Sequence, residues 1–124
     1  MNILTIIVRL LLGLMFVVFG SNAFLHFMPM PPLPDTPAGN FITAMIESHY
    51  IYGVAIFQVL GGLLLVIGRY VPLGLTLLGP VIVNIDLYHI FMDRTGLGMA
   101  AIVSLLALFL IWRYRDSFAG LLRP

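Results

Sequence analysis

The sequence predicts an all-α integral membrane protein: a four-helix bundle with both termini cytoplasmic and a short interfacial helix on the outer side. Three observations carry this prediction. Of 124 residues, 61% are hydrophobic and 9% are charged. The mean hydropathy is +1.11. Charged residues also leave four apolar stretches, each close to the roughly 20 residues a helix needs to cross about 30 Å of hydrocarbon. A soluble domain of this length would need many more polar side chains than six arginines and five acids to cover its surface. The net charge of +1 offers no basic field to nucleic acid, and the lack of cysteine excludes disulfides, thiolate metal sites and thiol chemistry. Redox work would need a borrowed cofactor.

The chain is expected to form one membrane domain over residues 1–124, with spans at about 3–27, 50–68, 71–92 and 96–113. Span one has no acid or base between Arg9 and Asp35. Ser21-Asn22-Ala23 has the small residues of a signal cleavage site, but a start at Met1 with two uncharged leading residues predicts a retained helix. Residues 28–49 make an outer proline-rich loop and an interfacial helix. The prolines at 29, 31, 32 and 34 remove amide donors and drive the chain out of the hydrocarbon. Thr36-Pro37 reads as a cap followed by a first-turn proline, and Phe41, Ile42, Met45 and Ile46 then recur at helical spacing. Span two lies between Glu47 and Arg69, span three runs from Val71 until Asn84, Asp86 and His89 interrupt it, and span four is uncharged from Gly96 to Trp112.

Four spans put both termini and the Arg69 turn at one end. That end holds Arg9, Arg69, Arg113, Arg115 and Arg123, against Arg94 alone at the other, so the bias of basic residues predicts cytoplasmic termini. Tyr70, Trp112 and Tyr114 are expected in an inner aromatic belt, and Phe27, Tyr50, Tyr52 and Phe91 in an outer one.

This topology gathers His26, Glu47, His49, Asn84, Asp86 and His89 near the outer side as a candidate polar pocket. Asp86 lies roughly 22 Å along span three, inside the outer third of the hydrocarbon, where an acid normally finds a partner, faces the bundle or takes up a proton. Ile82, Asp86, His89 and Asp93 share a helix face, so Asp86 and His89 can touch. Two readings stay open for Asp86: a polar clasp between helices, or part of a functional pocket. No metal site is expected, because Asp86 and His89 make half of a paired carboxylate-histidine arrangement and no second half exists. Two histidines bordering loops are also a poor pair of haem ligands. Arg9 is expected to snorkel to nearby headgroups. Gly13, Gly20, Gly53, Gly61, Gly62, Gly68, Gly74 and Gly79 are read as packing residues, and Pro80 should bend span three and free the Thr76 carbonyl.

The order of motifs resembles the DoxX-like family of small four-helix bacterial membrane proteins. The resemblance rests on Arg9-Leu-Leu-Leu-Gly13 through Gly20, the His26 to Pro32 loop, Gly61-Gly62-Leu-Leu-Leu, Arg69-Tyr-Val-Pro-Leu73, and Pro80-Val-Ile-Val-Asn84 leading to His89. It covers nearly the whole chain. It implies a bacterial inner-membrane location and one of several roles, among them quinone-dependent sulfur oxidation, redox complexes and membrane-protein assembly. Asp86 departs from it, standing where an apolar residue is expected between Asn84 and His89.

The leading expectation is a non-catalytic membrane subunit or accessory protein that packs against a larger membrane complex, in contact with the bilayer and with other integral subunits or copies of itself. The alternative is a quinone-linked oxidoreductase subunit, with His89 or His26 on a quinone carbonyl and Asp86 relaying a proton. A small transporter is a third reading. No intrinsic cofactor is expected, and the outer pocket would take a quinone or a lipid.

Overall fold

A computed structural model describes residues 2–124; Met1, the first residue of the expected domain, lies outside the described residues. Helix α1 runs Ile3–Leu25, α2 Pro37–Glu47, α3 Tyr50–Ile67, α4 Val71–Phe91 and α5 Leu97–Arg113, the last entered through a 3-10 turn at Arg94–Gly96. A short α6, Arg115–Phe118, and a further 3-10 turn, Ala119–Leu122, follow; the sequence reading did not anticipate them. Four helices are long and apolar enough to cross a membrane: α1, α3, α4, and α5 with its entering turn. No strand occurs among the described residues.

Local chemistry ends each helix. Asn2 starts α1 by accepting the Leu4 amide, at 2.6 Å. The same helix closes at Leu25, two residues short of the expected 27, because His26 turns left-handed at φ 52°. Asn22 then accepts the Met28 amide at 2.8 Å and folds the proline loop back on α1. At the start of α2, Thr36 caps the Gly39 amide at 3.3 Å with proline in the first turn. Gly39 lacks a side chain for a steric reason: any Cβ there would strike the Pro34 carbonyl.

The four spanning helices form a closed ring in which α1 packs on α3, α3 on α4, α4 on α5 and α5 on α1. The axis is filled by Leu12, Phe16, Leu65, Leu78 and Leu110, all essentially inaccessible. Outward residues such as Leu11, Phe19, Leu105 and Leu108 remain exposed, as expected of surfaces that meet acyl chains.

Adjacent glycines on α3 explain how it serves two neighbours. Successive residues lie roughly 100° apart around a helix, about the angle between adjacent partners in a four-membered ring. A Cβ on Gly62 would sit 2.7 Å from the Gly13 carbonyl of α1, while one on Gly61 would sit 3.1 Å from the Gly74 carbonyl of α4. Gly20 meets α3 in the same way, with the Ala55 carbonyl 3.2 Å from its ideal Cβ. Close backbone approach at these five glycines supplies packing in a solvent that gives helices no hydrophobic drive to associate. Gly53 and Gly79 depart from that expectation, since a Cβ on either meets nothing within 4 Å. Gly79 has open space beside α4, and Gly53 borders the groove between α3 and α4.

At the end holding the termini, the Arg9 guanidinium lies over Gly68, whose ideal Cβ would be 2.9 Å from Cζ; Gly68 also needs its positive φ of 80° to end α3. Arg9 therefore reaches toward the membrane edge, but onto the α3–α4 turn rather than into open headgroups. Tyr70 and Trp112 are exposed at that end, whereas Tyr114 packs on the core with Phe118. Of the expected outer aromatics, Phe27, Tyr50 and Phe91 are exposed; Tyr52 instead stacks between Phe24 and His49, with centroid separations of 5.2 and 5.6 Å.

Candidate functional site

Helix α2 packs on α3 and meets α4 through Phe41 and Tyr88. Its apolar residues Phe41, Ile42 and Met45 cover the upper part of the groove between α3 and α4, enclosing a lateral cleft of about 890 Å³. Phe57 and Val54 of α3 and Pro80 and Val81 of α4 continue the walls below α2. Polar side chains reach it from Ser48 and His49 at the α2–α3 junction, Tyr50 and Gln58 of α3, and Asn84, Tyr88 and His89 of α4. None of the residues lining it is an acid, an arginine or a lysine. The volume is that of a site for a small organic molecule with an apolar body and a few fixed polar contacts.

The cleft thus brings together His49, Asn84 and His89 of the six candidate residues, and the other three lie elsewhere. Asp86 faces the opposite neighbour, because two residues along a helix turn a side chain by roughly 200° from Asn84. Its Oδ2 accepts a 2.6 Å hydrogen bond from the Ser104 hydroxyl of α5. The expected Asp86–His89 contact is absent: His89 Nδ1 lies 3.0 Å from the Asp93 carbonyl oxygen. His26 is exposed in its left-handed cap position, and Glu47 is exposed at the end of α2. A smaller recess of about 510 Å³ lies under the Met30 to Pro34 segment, and it contains none of the six. Among the described residues, no group of three metal-ligating side chains converges.

The polar groups that α4 gives the cleft are locally positioned. Asn84 donates from Nδ2 to the Pro80 carbonyl at 2.8 Å, which fixes its amide while leaving the residue exposed to the cleft. About two turns earlier, Thr76 donates to the Pro72 carbonyl at 2.8 Å, and α4 continues unbroken through Pro80. His89 is held by the Asp93 carbonyl and, edge-on at 5.0 Å, by Tyr88. Gly96 leaves it room, since a Cβ there would strike the imidazole. Tyr88 also lies 5.8 Å from the Phe41 ring, joining α2 to α4. Asp93 anchors the turn below: its carboxylate accepts from the Thr95 hydroxyl at 2.5 Å and amide at 3.1 Å, bonds that hold it below its ordinary titration range.

Sequence reading missed Gln58, Tyr88, Gly53 and Ser104. Gln58 was the one amide side chain in span two and was findable as a lone polar group in an apolar helix. Ser104 was findable too, as the one hydroxyl in α5 and as far beyond Thr95 as Asp86 is before it.

A ring of four membrane-length helices with a lateral cleft under a peripheral helix defines a small multi-pass membrane protein. The chain matches the DoxX family model over residues 4–89, from the first turn of α1 to His89 in α4, and it belongs to the DoxX family. It is 30% identical over 122 residues to the uncharacterized protein YwoB of Bacillus subtilis (strain 168), covering 93% of this chain and 79% of that protein. No solved structure matches it.

Proposed function

We propose that this DoxX-family protein is a non-catalytic membrane subunit that holds a neutral amphiphile, a lipid-soluble quinone or a membrane lipid, in the α2–α3–α4 cleft and presents it to a larger membrane complex. The observation that carries this reading is the cleft itself: about 890 Å³, apolar walls, uncharged polar groups gathered under α2. A quinone or glyceride has that distribution, with a polar head at the interfacial end and an apolar tail along α3 and α4. Asp86 takes no part in it. Its bond to Ser104 supports the clasp reading over a proton relay to the ligand. The arginine bias supports cytoplasmic termini, with the cleft then in the outer half of the membrane.

Gly53 supplies the test. It lines the cleft, and its ideal Cβ meets nothing within 4 Å, so Gly53→Leu should fill the space without disturbing the bundle. Mass spectrometry of lipid extracts from the purified protein should find a quinone or a specific lipid at near one per chain, lost in Gly53→Leu and kept in Gly79→Leu. Equal recovery from all three, or no retained amphiphile in any, would overturn the reading.

A further inference from the structure

Asp86 spends only part of its hydrogen-bonding capacity inside the bundle. A carboxylate can accept on both oxygens, about four positions in all. Oδ2 takes the Ser104 hydroxyl at 2.6 Å, the one bond the group makes among the described residues. Oδ1 makes none and is not buried, so it reaches the surface of the α4–α5 seam. That seam faces outward. Val83 and Ile90, one turn below and above Asp86 on α4, are exposed, as are Ala101 and Leu108 on either side of Ser104 on α5. Two turns below Asp86, on nearly the same face of α4, a Cβ on Gly79 would meet nothing within 4 Å. A neighbouring helix could therefore approach the α4 backbone closely beside the acid.

No cation of the chain serves this carboxylate. Arg9 lies over Gly68 at the α3–α4 turn, roughly 22 Å along α4 from Asp86. Arg94 reaches from the turn after α4 to the Ile90 carbonyl, 3.4 Å from its Nε. The other arginines, at 69, 113, 115 and 123, belong to the end with the termini. A second copy in the same orientation carries its arginines at the same levels and brings none to the depth of Asp86. An acid within a spanning segment is costly and almost always pairs. We infer that the α4–α5 seam docks a transmembrane helix of another subunit that carries a lysine or arginine at the level of Asp86, with Oδ1 as its acceptor. This rests on the reading of the chain as a subunit of a larger complex, and not on the cleft, which neither Asp86 nor Gly79 lines.

The experiment co-reconstitutes the full-length, donor-labelled protein into phosphatidylcholine vesicles with acceptor-labelled polyleucine helices. These have uncharged ends and differ at one position at the level of Asp86, which is Lys, Asn or Leu. Energy transfer should show the Lys helix associating about tenfold more strongly than the Leu helix, and more strongly than the Asn helix. Asp86→Asn should abolish that preference. Ser104→Ala breaks the same clasp but keeps the carboxylate, so it should retain the preference and thereby separate the acid from bundle stability. Gly79→Leu fills the space beside α4 and should weaken docking. Equal association of the Lys and Leu helices, or an Asn helix that binds as well as Lys, would overturn the inference. So would a preference that survives Asp86→Asn, vanishes equally in Ser104→Ala, or is untouched by Gly79→Leu. Energy transfer between two differently labelled copies of this chain that depends on Asp86 would assign the seam to a second copy and overturn it too. Native mass measurement of the gently extracted protein tests the subunit reading separately, and a lone chain under every mild condition would overturn both.

Discussion

Asp86 meets Ser104 across the α4–α5 seam through a single 2.6 Å hydrogen bond, and that bond determines what its replacement costs. Asp86→Leu should destabilise the bundle by about 0.6 to 2 kcal/mol, the usual worth of an interhelical hydrogen bond in a membrane, while Asp86→Asn keeps an acceptor and costs less. Ser104→Ala should match the leucine variant, and the double variant should cost little more than either single one. Unfolding in detergent checks this; fully additive losses would show that the two side chains act apart. Asp93 gives a pH prediction. Its carboxyl is held low by the Thr95 hydroxyl and amide, so its support for the turn is complete above the ordinary carboxylate range and disappears as pH falls through the lowered value. Thr95→Val should move the Asp93 titration upward in NMR, and no movement would contradict the assignment. At this scale the sequence was half legible. Spacing along one helix put Asp86 and His89 on a common face, but their actual partners lie across the α4–α5 turn and in the turn backbone, and along-helix spacing carries no information about either.

Helix ends were legible because capping is local. Thr36-Pro37, the proline run and Gly68 each act within a few residues, and the helices begin or stop there. Which glycines pack was not legible, because it depends on the face each presents to a neighbour. Gly13, Gly20, Gly61, Gly62 and Gly74 touch facing backbone, whereas Gly53, which borders the cleft, and Gly79, both indistinguishable from them in sequence, meet open space. The two groups should separate cleanly on substitution. Gly62→Val drives a side chain into the Gly13 carbonyl and should cost about 1 to 3 kcal/mol as an overpacked contact. Gly79→Ala meets nothing and should gain up to about 1 kcal/mol from helix propensity. Thermal stability in one detergent ranks them, and an equal loss in both would contradict the packing assignment. The position of α2 was also hidden. Phe41, Ile42 and Met45 read as an apolar stripe for the lipid surface, yet they cover protein, because the loop folded back at Gly39 and the Tyr88 ring draw α2 over the α3–α4 groove.

The spanning helices form a closed ring with a lateral cleft, and the two ends of the molecule differ in charge. Five of six arginines sit at the end with the termini, so a reporter that functions only in the cytoplasm should be active when fused after Pro124 and inactive when inserted in the Pro29 to Pro34 loop. The opposite pattern would invert the topology and place the cleft at the inner face. On the proposed reading, an amphiphile lies between α3 and α4 beneath α2. Photolabelling addresses this directly: a quinone with a decyl chain that carries a diazirine is bound to the full protein, irradiated, and the labelled residues are mapped by peptide mass spectrometry. Labels should concentrate at Val54, Phe57, Gln58, Pro80 and Val81, and should be displaced by the unlabelled quinone. Labels spread evenly over outward residues such as Leu11, Phe19, Leu105 and Leu108, with no displacement, would contradict it.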